Sequence, residues 1–481
     1  PEALEELVEL HELEEYYRND RRFIYLPDLY EAETAAAGRL RMMLHDLCED
    51  SDAALNRSIE LLEDELGIEY DSLQKKALRE AVRNHVFVLT GGPGTGKTTT
   101  LNALIRLLEQ QGDTVMLAAP TGRAAKRLTE LTGKEAKTIH RLLEVDYTSD
   151  EMHPVFRKNE KNPLKCNTLI VDEMSMVDSV LFDSLLRALS FSCRLIMVGD
   201  SDQLPSVGAG NVLHDLLSSD ILPSVTLTTI FRQAAESMIV TSAHDIVNGE
   251  YPYLECKDND FFFMPRGSEA ECAATVCQLC EKRLPKAYDL SPMWDIQVLC
   301  PGKRGEAGTG GLNIALQKAL NPPAKGKKEH TQNGRLFREG DKVMQVRNNY
   351  DMVWKKDDGE MGQGIFNGDI GIIERMDPAL RMMAIRFDDR VADYPYDSLG
   401  ELDHAYAITV HKSQGNEFEA VIIPLMDISS RLCYRNLLYT AVTRAKKLLI
   451  IVGDARAVYT MVDNNRRTGR FTNLRYMLEE K

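Results

Sequence analysis

Residues 91–98 read Gly-Gly-Pro-Gly-Thr-Gly-Lys-Thr, a spacing suited to cradling a chain of phosphates. Glycines let successive backbone N–H groups converge on phosphate oxygens, and a helix starting at the loop adds partial positive charge. The pattern assigns Gly92, Pro93, Gly94, Thr95, Gly96, Lys97, Thr98 and Thr99 to a nucleoside triphosphate, taken as ATP. Lys97 would reach the β- and γ-phosphates, and the Thr98 hydroxyl would face Mg²⁺. A second constellation, Leu169-Ile-Val-Asp172-Glu173, ends an apolar run in two carboxylates. Asp172 is the expected Mg²⁺ ligand, and Glu173 the base that orients and deprotonates the attacking water. Gln203, closing Val198-Gly-Asp-Ser-Asp-Gln203, could hydrogen-bond the γ-phosphate or that water, although an ordinary turn residue is the alternative. Arg232 and Arg444 are candidates to carry positive charge to the transferring phosphoryl group. Composition alone would make either arginine a surface ion-pair partner.

These residues need a strand, a tight turn and a helix to hold them, and the flanks supply that pattern. Val86-Phe87-Val88-Leu89 is a short, β-branched and aromatic run of the kind buried in a parallel sheet, and Thr99–Leu108 carries leucines at helical spacing. Further strands are expected at Val86–Thr90, Thr114–Ala119, Thr168–Asp172 and Arg194–Val198. Strands alternating with helices give a parallel sheet covered on both faces, and at its carboxyl edge the phosphate loop and carboxylates would share a crevice.

The expected organisation is an α/β chain of two parallel-sheet domains. Residues 1–65 form a helical or winged-helix-like segment, with a plain helical connector equally open, and one strand at Arg22–Leu26. Residues 66–225 form the first domain, interrupted at 144–166 by a hairpin. The second domain comprises 226–340 and 401–481, with strands at Ile296–Cys300, Ala420–Leu425 and Leu448–Val452. Residues 341–400, with Asp358-Gly359 and Asn367-Gly368 turns, form a small β insert. Asn321–Arg335, rich in proline and lysine, is expected as a loop.

With 481 residues the chain exceeds one ordinary core. No apolar run approaches the ~20 residues that span a bilayer. Pro1 stands where an initiator methionine is expected, so the chain reads as N-terminally truncated. Nine scattered cysteines suit a reducing cytoplasm. Cys272, Cys277 and Cys280, with Cys300 as a fourth, have an iron–sulfur-like spacing, but an amphipathic helix over Glu269–Arg283 with core-facing thiols is favoured. A net charge of −16 disfavours broad nucleic-acid binding without excluding a local basic path.

The blocks GGPGTGKTTT, LAAPTGRAAKRL, KTIHRLL, LIVDEMSMVD, VGDSDQLPSVGAGN, TIFRQ, AITVHKSQGNEFEAVIIP and LLYTAVTRAKKLLIIVG follow one another in the chain. In content and order they resemble the motifs of superfamily 1 helicases, most closely the RecD-like DNA helicases, over about residues 20–481. The resemblance implies ATP held between two RecA-like domains, an SH3-like insert, and movement along single-stranded DNA up to duplex junctions. It makes Gln74 the adenine reader, Gln203 the coupling residue, Arg232 and Arg444 the γ-phosphate arginines and Glu417 a ribose contact. It places Pro120, Thr121, Arg123, Thr138, His140, Thr409, His411 and Ser413 along the DNA path.

Helicases of the 3′→5′ branch carry an aromatic after the motif III glutamine. Here Gln203-Leu-Pro-Ser-Val-Gly-Ala-Gly has none, which fits the 5′→3′ branch. The implied activity is an ATP-dependent 5′→3′ DNA helicase or translocase, with the 146–163 hairpin as a wedge. The alternatives are the motor subunit of a recombination nuclease complex and an ATPase switch that grips DNA without unwinding it. A monomer is expected, with replication or repair proteins as possible partners and no membrane association. No nuclease constellation stands out, so no intrinsic cleavage is expected.

Overall fold

The computed structural model describes residues 2–44, 52–146, 155–255, 258–465 and 470–480, which form two compact units. The first comprises Pro1–Pro120, Ala124–Phe231 and Thr468–Lys481, and the second Thr121–Arg123 and Arg232–Arg467.

The first unit is built on β1 (Val86–Gly91), β2 (Val115–Ala119), β3 (Ala136–Thr138), β4 (Thr168–Val171), β5 (Arg194–Gly199) and β6 (Ser224–Leu227). They lie in the order β6-β1-β5-β4-β2-β3 and every pairing is parallel. Strand periodicity divides each run between two cores. Val86 and Val88 join Leu40, Phe182, Leu185, Leu169 and Leu195 on one face, while Phe87 and Leu89 join Leu78, Leu104, Ile170 and Ile196 on the other. Burying a side chain of this size contributes ~1.5–3 kcal/mol, so the continuous apolar runs fix the strands in the middle of the unit.

Its helices include α1 (Pro27–Met43), α2 (Ser72–Arg83), α3 (Lys97–Gln110), α4 (Gly122–Thr132), α5 (Ser179–Arg187) and α6 (Val212–Ser218). Three findings differ from the sequence expectation. Glu14–Arg18 is a strand paired with Arg21–Tyr25, where one strand alone, at Arg22–Leu26, was expected. Ser224–Leu227 belongs to the first sheet, so that sheet runs past 225. Residues expected at the end of the second domain return to the first unit, where Leu474, Met477 and Leu478 of the C-terminal helix Leu474–Glu479 enter the core containing Leu40 and Leu216. The 144–166 hairpin is described only at its base, where Val145–Asp146 pairs antiparallel with Val155–Phe156; residues 147–154 lie outside the described residues.

The second unit carries β7 (Phe261–Pro265), β8 (Ile296–Cys300), β9 (Ala407–Thr409), β10 (Phe418–Leu425) and β11 (Ala445–Gly453), all parallel in the order β7-β11-β10-β8-β9. Helices α7 (Thr309–Leu320) and α8 (Arg435–Val442) belong to this unit. Between β8 and β9 the chain makes a seven-stranded antiparallel sheet from Lys342–Gln345 to Leu402–His404, with its own core of Phe337, Ile373, Ile385, Phe387 and Tyr394. The expected loop at 321–335 is ordered in its second half: Glu329–Gln332 and Arg335–Arg338 pair as a hairpin. Composition pointed to a loop, but cross-strand pairing decides strand formation here. No helix among the described residues is long and apolar enough to cross a membrane.

Candidate active site

β1 and β4 both flank β5 in parallel, so the turns that leave all three strands meet at one edge of the sheet. The phosphate loop leaves β1, Asp172 and Glu173 leave β4, and Asp200–Gln203 leaves β5. Gly96 ends the loop as the N-cap of α3 with φ +80°. A Cβ there would stand 2.6 Å from Gln74 Nε2 and 2.7 Å from the Phe231 ring, so both conformation and space require glycine. The Lys97 ammonium donates to the carbonyls of Gly91 and Gly92, the latter at 3.1 Å. Thr95, buried, donates its hydroxyl to Gly92 O at 2.8 Å and braces the loop. Gly92, Pro93, Gly94 and Thr98 remain half-buried and Thr99 is exposed.

Gln74 is buried against this loop, with Nε2 donating to Gly96 O at 3.4 Å. It also completes a capping box: Gln74 N–H donates to Asp71 Oδ1 at 2.8 Å, and Asp71 N–H donates to Gln74 Oε1 at 3.1 Å.

β4 stops at Val171, and Asp172 N–H donates to Ala118 O at 2.9 Å. Glu173 then turns left-handed, φ 54° and ψ 41°. A non-glycine residue in that region costs of order 1–3 kcal/mol, and such strain concentrates at functional sites. Its N–H donates to Asp172 Oδ1 at 2.8 Å. Burial, followed by the neighbouring Glu173 charge, pushes the Asp172 carboxyl up to about 6, while Lys97 and Arg127 pull it back. Lys97 is therefore close enough to act electrostatically on Asp172, and the structure brings the loop and the carboxylates together. Arg127, on α4, was not singled out in the sequence; its place in the LAAPTGRAAKRL block was the available signal. Gln203 Nε2 donates to Asp200 Oδ2 at 3.2 Å, which holds the amide beside the same edge.

A hard divalent cation suits this donor set: a carboxylate burdened by its own burial and a like-charged neighbour would be relieved by Mg²⁺, and Asp172 with the Thr98 hydroxyl would hold it. Among the described residues no group of three or more His, Cys, Asp or Glu could hold a metal by itself. Cys272, Cys280 and Cys300 are core residues, and burial drives the Cys272 and Cys280 thiols up to about 12. A thiol so raised stays protonated and packs as a small apolar group, as the helical reading expected.

The two arginines lie in the second unit in different settings. Arg232 is exposed at the start of the short helix Arg232–Ala235. Arg444 is buried, contrary to the surface pairing that composition suggested, and its guanidinium donates to Thr440 O (3.2 Å), Asn416 O (3.2 Å) and Thr443 Oγ1 (3.3 Å). Glu417, half-buried, directly precedes β10.

Of the residues expected along DNA, Pro120, Thr121 and Arg123 are half-buried where β2 passes into α4. Thr138 caps the turn Ile139–Leu142, its Oγ1 accepting from Arg141 N–H at 3.1 Å. His140, whose imidazole burial shifts below its ordinary value, lies 6.0 Å between ring centroids from Phe156. Thr409 and His411 are half-buried, but Ser413 is fully buried and its hydroxyl is committed to Val410 O at 2.8 Å. In this geometry the Thr138 and Ser413 hydroxyls shape local turns. A cleft of about 520 Å³ in the second unit is lined by Thr409 together with Lys303, Arg335 and Lys412, basic residues the sequence reading did not select. Lys412 lies in the AITVHKSQGNEFEAVIIP block, whereas Arg335 reaches the cleft only through its unexpected hairpin.

Comparison with known proteins gives three family matches: AAA domain over residues 74–209, ATP-dependent RecD-like DNA helicase SH3 domain over 312–387, and UvrD-like helicase C-terminal domain over 404–452. The chain is 35% identical over 439 residues to the ATP-dependent RecD2 DNA helicase of Deinococcus radiodurans, covering 90% of this chain and 56% of that protein. It is 32% identical over 442 residues to the RecBCD enzyme subunit RecD of Mycobacterium tuberculosis, covering 84% and 73%. The chain thus spans little more than half the length of the first of these relatives. Among solved structures, a Bacteroides Pif1 helicase complex with ADP-AlF3 and single-stranded DNA aligns with 22% identity, 82% and 94% coverage and a TM-score of 0.46.

Proposed function

Because the chain belongs to the RecD-like family of superfamily 1 helicases, we propose that it is an ATP-driven motor that moves 5′→3′ on single-stranded DNA and separates the duplex it meets. The observation that carries the reading is the common edge of β1, β5 and β4, where Lys97, Asp172, Glu173 and Gln203 are gathered. In this reading the loop amides and Lys97 bind the triphosphate, and Glu173 takes the proton of the attacking water. Asp172 and Thr98 would hold Mg²⁺, which when bound neutralises phosphate charge. Gln203, braced by Asp200, is the candidate to register the γ-phosphate, and Arg232 and Arg444 are the guanidinium candidates for charge on the transferring group.

Polarity is supported by the segment after Gln203, which contains no aromatic and exposes only Val207 among its larger apolar side chains. Base stacking contributes ~1–3 kcal/mol per base, so grip here would rest on backbone contacts. The cleft carries Lys303, Arg335 and Lys412, the last two paired with Asp403 of the same lining, and a phosphodiester would compete with that carboxylate for them. The test is strand displacement on duplexes carrying a 5′ or a 3′ overhang, with ATP hydrolysis measured with and without single-stranded DNA. Displacement confined to the 5′ overhang is expected; displacement confined to the 3′ overhang refutes the polarity, and hydrolysis that DNA leaves unchanged refutes the motor.

A second reading, a motor subunit within a larger assembly, is favoured by the relatives named RecBCD enzyme subunit RecD. Displacement by the isolated chain at full rate would exclude a strict dependence on partners.

A further inference from the structure

The loop after Gln203 is held from two sides. Toward α5, the missing Cβ of Gly208 would stand 2.4 Å from Asp178 Oδ2 and that of Gly210, at φ +97°, 2.0 Å from Ser179 Oγ. Ser179 N–H donates to Ala209 O at 3.0 Å. Asp178 lies five positions after Glu173, so this contact ties the loop to the segment that carries the candidate base.

The second hold comes from the end of the chain. The Arg470 guanidinium donates through Nη1 to the carbonyls of Gly208 and Gly210 (the latter at 2.7 Å) and to Ser206 Oγ at 3.3 Å, and through Nη2 to the carbonyl of Ser206. One side chain thus gathers four acceptors from a five-residue stretch. Three residues on, Asn473 is fully buried: its N–H donates to Glu33 Oε2 at 3.0 Å, its Nδ2 to Tyr25 Oη at 2.6 Å, and its Oδ1 accepts from Arg18 at 2.8 Å. The base from which Arg470 reaches the loop is therefore rigid. A planar, five-donor fork suits several carbonyls at once, which a lysine ammonium on a flexible stem does not.

We propose that Arg470 is a positioning residue of the motor, fixing the 206–210 loop so that the nucleotide state at Gln203 is transmitted to bound DNA. The assignment rests on the motor reading above. The four acceptors of Arg470 all lie on the loop beyond Gln203, so its removal acts on coupling and leaves nucleotide binding in place.

The experiment compares wild type with Arg470→Ala and Arg470→Lys for ATP KM, hydrolysis without DNA, hydrolysis at saturating single-stranded DNA, base pairs opened per ATP, and melting temperature. In Arg470→Ala the KM and DNA-free rate stay within about twofold of wild type. DNA stimulation and base pairs opened per ATP fall by about tenfold or more, as expected for losing several charge-assisted hydrogen bonds. Arg470→Lys, which keeps the charge and loses the fork, restores less than half of the coupling. Unchanged stimulation in a folded Arg470→Ala overturns the assignment, as does a loss of DNA-free hydrolysis in proportion to the loss of stimulation. If Arg470→Ala does not fold, Arg470→Lys decides: full coupling overturns the proposal and reduced coupling at wild-type KM supports it. A wild-type rate indifferent to DNA overturns the motor reading and this assignment with it.

Discussion

Replacing Asp172 by asparagine should make the protein more stable while abolishing hydrolysis. The carboxyl is pushed from 3.8 up to about 6, first by burial and then by Glu173, so folding opposes its ionisation. The sign follows from linkage: a carboxyl raised in the folded state penalises stability at pH above both values, and the penalty fades as pH falls from 6 through 3.8. The difference corresponds to about 3 kcal/mol at pH 7 and about 1.6 kcal/mol at pH 5. These are upper bounds, because Asp172 keeps some solvent exposure. Asparagine retains an oxygen for the Glu173 N–H and carries no charge. For a unit of this size, about 3 kcal/mol raises the melting temperature by roughly 6–12 °C. Paired thermal melts of wild type and Asp172→Asn in Mg²⁺-free buffer at pH 7 and pH 5 measure the gap. Adding Mg²⁺ with a non-hydrolysable ATP analogue should then stabilise wild type more than the variant, by mass action on the folded state. Coincident melts at pH 7, or a gap that widens toward pH 5, would refute the reasoning.

Lys97→Ala should lower ATP hydrolysis on the order of 10²–10³-fold, as loss of a charge on the developing anion does elsewhere; steady-state hydrolysis checks it, with circular dichroism confirming the fold. Lys342 is buried, donates to Ile296 O at 3.0 Å, and is driven by burial down to about 7. Its folded value lies below its unfolded one, so its penalty is largest at low pH, and Lys342→Met should raise the melting temperature more at pH 6 than at pH 9. Asp341→Ala should cost about 3–5 kcal/mol by chemical denaturation, since it strands several buried donors. Asp341 is held below the usual carboxylate range because hydrogen bonds from His404 and Asn321 outweigh its burial, so the gap between wild type and variant should narrow as pH falls below 3.8.

Local pattern carried most of the candidate site. Val86–Leu89, Leu169–Val171 and Leu195–Val198 declare themselves as strands because they are apolar on both faces, and the residues after each inherit a place at one sheet edge. What escaped depended on partners far away in the chain. Arg470 finds its acceptors 260 to 264 positions earlier. Nothing within a local window distinguishes it from a solvated arginine, and the same is true of Asn473 and Glu33. Ser413 illustrates the opposite limit: its place in a block was readable, but whether its hydroxyl faced outward or closed its own turn was not. The 329–338 hairpin escaped because lysine- and proline-rich composition speaks for solvation, while Glu329↔Arg338 pairing overrides it.

The seven-stranded insert begins and ends at one point. Lys342–Gln345 and Leu402–His404 are its entry and exit, and they pair antiparallel, with Val343 opposite His404. Asp341, at the threshold, accepts from Gln317 and Asn321 of α7 and its C-cap and from Tyr406 just beyond the exit. Entry and exit therefore form a two-stranded neck, and the Asp341 carboxylate ties that neck to α7 and to Tyr406. In evolutionary terms, a module running from Lys342 to His404 whose ends are hydrogen-bonded neighbours can be exchanged, enlarged or removed while β8 and β9 keep their pairing, because the gap its loss would leave is about one strand spacing, ~4.8 Å.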